Sequence, residues 1–170
     1  LKRLRVMIGS DDFKEKYRQS DRDFTRNRVL TFVGLVVSQI NLVSKSLSVE
    51  VSKFVERFFA LACDYTKQAY SKRRSKLRAE AFTALNRELV SQYYAGGEYK
   101  TWQGYVLLAT DGSTMQLPES RQITEAFGTA DEKGESMPLG RSSLLYDVEN
   151  ELVLDARLEP YRASERHMAL

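Results

Sequence analysis

The sequence predicts an α+β chain, helical up to about residue 95 and built of strands after it. Three observations carry that expectation. Apolar residues recur three and four positions apart from Val29 to Tyr93, the spacing that lines one face of a helix. Ala95-Gly96-Gly97-Glu98 then interrupts the pattern, because adjacent glycines are poor helix formers and mark a boundary. Beyond it the period changes. Tyr105 to Thr110 is a short continuous apolar run, and RSSLLYDVENELVLDARLEP reads as two strand halves around Glu149-Asn150.

Taken in order, residues 1 to about 22 are charged and lack a clear period, so they read as a loosely attached leading segment or a short helix. From Arg26 to Leu42, Val29, Leu30, Val33, Val36, Val37 and Ile40 give a helix with a broad apolar face. Ser48 suits the N-cap of a second helix carrying Val51, Phe54, Val55, Phe58 and Ala62. Cys63-Asp64-Tyr65 reads as a break, and Thr66 as the cap of a third helix. A fourth, roughly Ala79 to Tyr94, places Phe82, Leu85, Leu89 and Tyr93 at core spacing. After the glycines, Tyr105–Thr110 suits a strand buried on both faces. Residues 119–140 read as a long loop with one helical turn around Gln122–Phe127. The hairpin about Glu149-Asn150 ends at Pro160, and Ser164 can cap a helix starting at Glu165. The expected domains are therefore 1–95, helical, and 99–170, strand-rich. Three antiparallel strands and one helical turn would leave a sheet face and edge uncovered, so a longer parent chain is expected; Leu1 in place of an initiator Met agrees.

Composition removes several function classes. Hydrophobic residues at 42% and charged residues at 29% suit a globular protein rather than a disordered or collagenous one. The most apolar stretch, Val29 to Val43, is broken by Thr31, Gly34, Ser38, Gln39 and Asn41 and shows no signal-peptide pattern, which points to a cytoplasmic protein without a membrane partner. Cys63 is the sole cysteine, excluding an internal disulfide or a cysteine-based zinc site. His167 is the sole histidine, which makes a Ser-His-Asp or Cys-His centre improbable.

Two features carry chemistry. The net charge of +3 is mild, yet YTKQAYSKRRSKLRA brings Lys67, Lys72, Arg73, Arg74, Lys76 and Arg78 together with no acid among them, a footprint suited to a polyanion. At helical spacing Lys67, Gln68, Ser71, Lys72, Ser75 and Lys76 share a polar face, while Ala69, Tyr70 and Arg73 lie opposite. Residues 48–78 thus read either as a helix-turn-helix whose second helix enters the major groove or as a bundle helix with a solvated basic face. Lys67, Gln68, Ser71, Lys72, Arg74, Ser75 and Lys76 are the candidate DNA contacts. The second feature is Asp111 in LLATDGSTMQLPES. Asp-Gly after an apolar run makes a tight turn, and a carboxylate at a strand end can equally hold a metal.

Several stretches in order resemble the bacterial transposases of the Asp-Asp-Glu class, in the insertion-sequence-4 group: FTRNRVLTF with KSLSVEVSKF, YTKQAYSKRRSKLRAEAF, WQGYVLLATDGSTMQLP, and SSLLYDVENELVLDARLEPYRASERHMAL. The resemblance implies that residues 99–170 begin a ribonuclease-H-like α/β domain, incomplete at its C-terminus, whose first strand ends in the catalytic metal ligand Asp111. It implies two Mg2+ (or Mn2+) ions in the complete enzyme, held by Asp111 with a second Asp and a Glu that have no assigned positions here. Asp147 and Asp155 are expected at solvent-facing strand positions and Glu165 at a helix N-terminus. Two such ions activate a nucleophile and stabilise the leaving oxygen of a phosphodiester.

The expected function is therefore DNA transposition. The implied partners are double-stranded DNA, as terminal inverted repeats and target, and further copies of the chain in a synaptic complex, with a location at the bacterial nucleoid. With one carboxylate this chain should bind DNA without cutting it. A non-enzymatic regulator derived from a truncated transposase is the second reading, and a purely structural helical domain the third.

Overall fold

The computed structural model describes residues 2–26, 30–42, 46–59, 65–132 and 135–168. The chain divides into two compact units, Leu1–Leu89 and Val90–Leu170. It is α+β, with helices first and an antiparallel sheet after them.

In the first unit, of the two readings of the leading segment the helical one holds, over residues 2–9 and 11–17. Helices α1 (Lys2–Gly9) and α2 (Asp11–Tyr17) are separated by Ser10, whose Oγ accepts the Phe13 N–H at 3.2 Å while Asp11 and Asp12 occupy the positive end of the α2 dipole. Phe13 and Tyr17 are buried. Two aromatic anchors four apart hold the segment down, a signal too short to register as a period. Helix α3 (Phe32–Ile40) is shorter than expected because Thr31 caps it, its Oγ1 accepting the Gly34 N–H at 3.1 Å; residues 27–29 of the expected helix lie outside the described residues.

Helix α4 (Leu47–Phe59) starts before Ser48, the Ser46 carbonyl accepting the Glu50 N–H at 3.0 Å, so Ser48 is not its cap. Ala62 and Cys63 lie outside the described residues. Thr66 caps α5 (Lys67–Arg74) as expected, its Oγ1 accepting the Ala69 N–H at 3.2 Å. Helix α6 (Glu80–Ala95) is the expected fourth.

The core of this unit joins Phe13, Tyr17, Phe24, Leu30, Phe32, Leu35, Val36, Val51, Val55, Tyr70, Leu77, Ala81 and Leu85. Each aliphatic side chain fully withdrawn from water there contributes about 1.5–3 kcal/mol. Tyr70, 1% exposed, carries a hydroxyl into that core. It is satisfied by the Ser38 hydroxyl at 2.8 Å and by the Gln39 side-chain amide, which donates to it.

The second unit is organised by β3 (Glu135–Asp147), paired antiparallel with β1 (Leu108–Gln116), β2 (Thr129–Glu132) and β4 (Leu152–Pro160). The hairpin about Glu149-Asn150 and the helix α7 (Arg121–Phe127) are as expected, and α8 spans Glu165–Met168. The long loop expected for 119–140 is corrected: β2 and the start of β3 lie within it, since pairing with a distant strand orders residues whose local composition favours a loop.

Asp111-Gly112 is not a turn. The strand runs through it, Asp111 opposite Leu144 and Gly112 opposite Ser143. The tight turn falls instead at Gln103-Gly104, where φ is 51° and 87° and Trp102 and Tyr105 exchange backbone bonds of 2.8 and 2.9 Å. Two positive φ angles in sequence match the I′ hairpin turn, for which glycine is suited. Nor is the first strand buried on both faces: β1 is exposed along its length.

Asp147, expected to face solvent, is completely buried. Tyr94 donates to its Oδ2, and Asn150 donates to both oxygens, from the backbone at 3.2 Å and the side chain at 2.8 Å. Asn150 in turn accepts from the Tyr93 hydroxyl at 2.8 Å and the Lys100 N–H at 2.7 Å, and donates to the Lys100 carbonyl at 3.0 Å. The β3–β4 turn is thereby fastened to the end of α6 and to the segment that follows it. Burial pushes the Asp147 carboxyl up, but the hydrogen bonds from Tyr94, Asn150 and Glu149 outweigh it and hold the group below its ordinary value. Burial and the bond to Asp147 push the Tyr94 phenol up to about 12.

Two predictions follow from these buried groups. Tyr70→Phe leaves the Gln39 amide without its acceptor and should lower the stability of the first unit by about 1–2 kcal/mol in urea unfolding; no change would mean the hydroxyl network contributes nothing. In the second unit the unfolded chain binds the Asp147 proton first as pH falls, so stability should decline through and below the ordinary carboxylate range. It should also decline as pH rises from about 10 to about 12, where only the unfolded Tyr94 ionises. Thermal unfolding against pH should show both limbs, and Asp147→Asn should flatten the acid one.

Candidate nucleic-acid interface

The basic helix α5 is held by its buried side. Tyr70 enters the core, and Arg73 turns inward, its Nε donating to the Leu30 carbonyl at 3.0 Å and its guanidinium lying 4.5 Å from the centre of the Phe24 ring. Lys67, Gln68, Lys72, Arg74 and Ser75 are exposed, whereas Ser71 and Lys76 are half-buried. Ser75 spends its hydroxyl on the Lys72 carbonyl at 3.1 Å, at the helix end. Lys76 pairs with Asp23, whose side chain is 9% exposed. Of the expected contact face, Lys76 is thus already engaged by a carboxylate and Ser75 by backbone.

Just after α5, the chain is stitched to the segment following α2. Gln19 N–H donates to the Lys76 carbonyl and Arg78 N–H to the Tyr17 carbonyl, both at 2.9 Å. Residues 18–26 form an irregular turn from that seam. Arg18 closes its base, donating to the Asp21 carbonyl at 2.8 Å. At its far side Phe24 adopts φ 58°, a left-handed conformation uncommon for an aromatic residue, with its ring buried against Phe32 and Arg73.

Between this turn and α5 lies an open groove of about 1030 Å³ lined by Asp21, Arg22, Phe24, Thr25, Arg26, Tyr65, Ala69, Lys72, Arg73 and Lys76. Its cations outnumber its single lining carboxylate. Lys67 and Gln68 fall elsewhere, in a shallow hollow with Ser48, Ser52, Tyr65 and Thr66. The structure therefore separates residues that the sequence grouped on one face; it adds Arg22 and Arg26, which sequence reasoning missed, and Arg73, which it placed on the opposite face. The signal was present in SDRDFTRNR, whose arginines show no helical period. The turn of the expected helix-turn-helix, between α4 and α5, falls largely on residues 60–64, which lie outside the described residues.

Asp111 projects from an exposed strand. Its face of the sheet also carries Ser113, Ser142, Leu144 and Ala156 by register. Ser113 and Ser142 bond each other at 2.8 Å. Asp147 and Asp155 alternate onto the opposite face. Among the described residues no group of three His, Cys, Asp or Glu side chains could hold a metal ion. Asp111 by itself does not fit a two-ion centre, and the side chains of Asp131, Glu132, Glu135 and Glu165 lie outside the described ones. No described helix is long and apolar enough to cross a membrane.

No protein-family model, curated protein or solved structure matches the chain.

Asp23→Ala should cost about 1–3 kcal/mol in urea unfolding, since it leaves the Lys76 ammonium, 36% exposed, without its partner. Asp21→Ala, whose side chain is fully exposed, should leave stability unchanged. Equal effects would mean that the buried pair does not hold the turn.

Proposed function

We propose that this chain is a DNA-binding protein of the transposase type, and that its first unit grips duplex DNA along α5 and the groove beside it. The observation that carries the reading is the groove's charge: Arg22, Arg26, Lys72, Arg73 and Lys76 against Asp21. Cations at the C-terminal turn of α5, Lys72 to Arg74, also satisfy that helix's own dipole. Lys67 does not, because it stands in the first turn, where no acid is present and a cation is disfavoured. Helix stability therefore does not account for it, whereas an external polyanion does.

The resemblance to the Asp-Asp-Glu transposases supports the rest of the reading. The second unit corresponds in it to the opening of a ribonuclease-H-like domain with Asp111 as the first ligand of two Mg2+ (or Mn2+) ions. The DNA would be terminal inverted repeats and target, in a synaptic assembly of several copies at the bacterial nucleoid. The complete enzyme would cut and join strands there. With no group of three His, Cys, Asp or Glu side chains among the described residues to hold a metal ion, this chain binds and does not cut. That same observation favours the second reading, a non-enzymatic regulator that occupies element ends.

Binding to duplex DNA should weaken linearly in log affinity against log salt, and Lys67→Ala or Lys72→Ala should each make the slope shallower by about 0.9. A flat salt response or absence of binding would contradict the proposal. Supercoiled plasmid should remain intact with Mg2+. Mg2+-dependent nicking that Asp111→Ala abolishes would show that the chain does cut.

A further inference from the structure

We infer that the turn of residues 18–26 is a second arm of the DNA site, with Arg22 and Arg26 contacting backbone phosphates across the groove from Lys72. The inference rests on the DNA reading above and extends it to a part of the chain outside the basic helix. Arg22, Arg26 and Lys72 are exposed, line one groove, and form no ion pair among the described residues. The groove's other two cations are differently placed: Lys76 is held by Asp23, and Arg73 by the Leu30 carbonyl and the Phe24 ring. These two are positioning residues, which fix the turn against α5.

The turn's construction argues against a casual surface loop. Its base is stitched to residues 76–78 by two backbone bonds. Asp23 is 7% exposed and Phe24 8%, and Phe24 holds a left-handed backbone, φ 58°, that is unfavourable for an aromatic residue. Burial of its ring and the stacked guanidinium offset that cost. The effect is to hold Arg22 and Arg26, on either side of two buried residues, beside the basic helix. Small-molecule pockets are enclosed; this groove is open and lined by five cations against one carboxylate, which suits a polymer backbone.

The test is the salt dependence of duplex DNA binding by the full chain, comparing wild type, Lys72→Ala, the double variant Arg22→Ala/Arg26→Ala, and the charge-retaining Arg22→Lys/Arg26→Lys. The double alanine variant should reduce the slope by about 1.8 and the double lysine variant should keep it. If Lys72→Ala changes the slope while the double alanine variant does not, the arm is wrong and the DNA reading stands. If wild type does not bind, both fall. Asp23→Asn separates placement from net charge. It frees Lys76 and makes the chain more positive, so a plain charge effect tightens binding, whereas loss of the arm's placement weakens it. Weaker binding is the expected result, and tighter binding would overturn the positioning role.

Discussion

The first unit depends on the seam between the residue that ends α2 and the residues that follow α5. Tyr17 and Gln19 exchange backbone bonds with Arg78 and Lys76, so two segments nearly sixty residues apart in sequence form one short antiparallel contact. Around it the side chains close ranks: Asp23 takes Lys76, Arg73 reaches Leu30 and covers Phe24, and Tyr70 carries its hydroxyl to Ser38. Several buried polar groups here find their partners at long range, and loss of one leaves the other in a low-dielectric interior. The helix that carries the cations is thus oriented by its inward side, and its outward side faces solvent.

The same logic recurs in the second unit with different chemistry. In a fully buried site the Asp147 carboxyl is held below its ordinary value because Tyr94 and Asn150 donate to it. Asn150 uses its own amide to tie Tyr93 and both backbone groups of Lys100. A carboxylate in this position is a fastener rather than a candidate ligand. That assignment leaves Asp111 on the other face of the sheet, beside Leu144 at 44% exposure.

What was legible in the sequence was whatever local chemistry decides. The Thr66 cap of α5, the α7 turn, the hairpin at Glu149-Asn150 and the body of α6 depend on neighbours within a few residues, and their positions were read directly. What was not legible depends on distant partners. Asp111-Gly112 has turn chemistry, yet pairing with Leu144 and Ser143 draws it into a strand; Asp147 looks like a surface acid until Tyr94 reaches it. The groove's turn was missed for the same reason: Arg22 and Arg26 have no periodicity, and only the seam at Gln19 and Lys76 brings them beside Lys72. Lys76 itself illustrates the converse, a cation counted as a contact that a buried aspartate already holds.

The account stands on the claim that the turn and α5 form a single phosphate-binding surface. Mapping amide chemical shifts of the full chain during titration with duplex DNA addresses that claim most directly. It predicts perturbations concentrated at residues 20–26 and 66–76, with both stretches moving in parallel as one site fills. Perturbations confined to the second unit, or absent from both stretches at saturation, would contradict it.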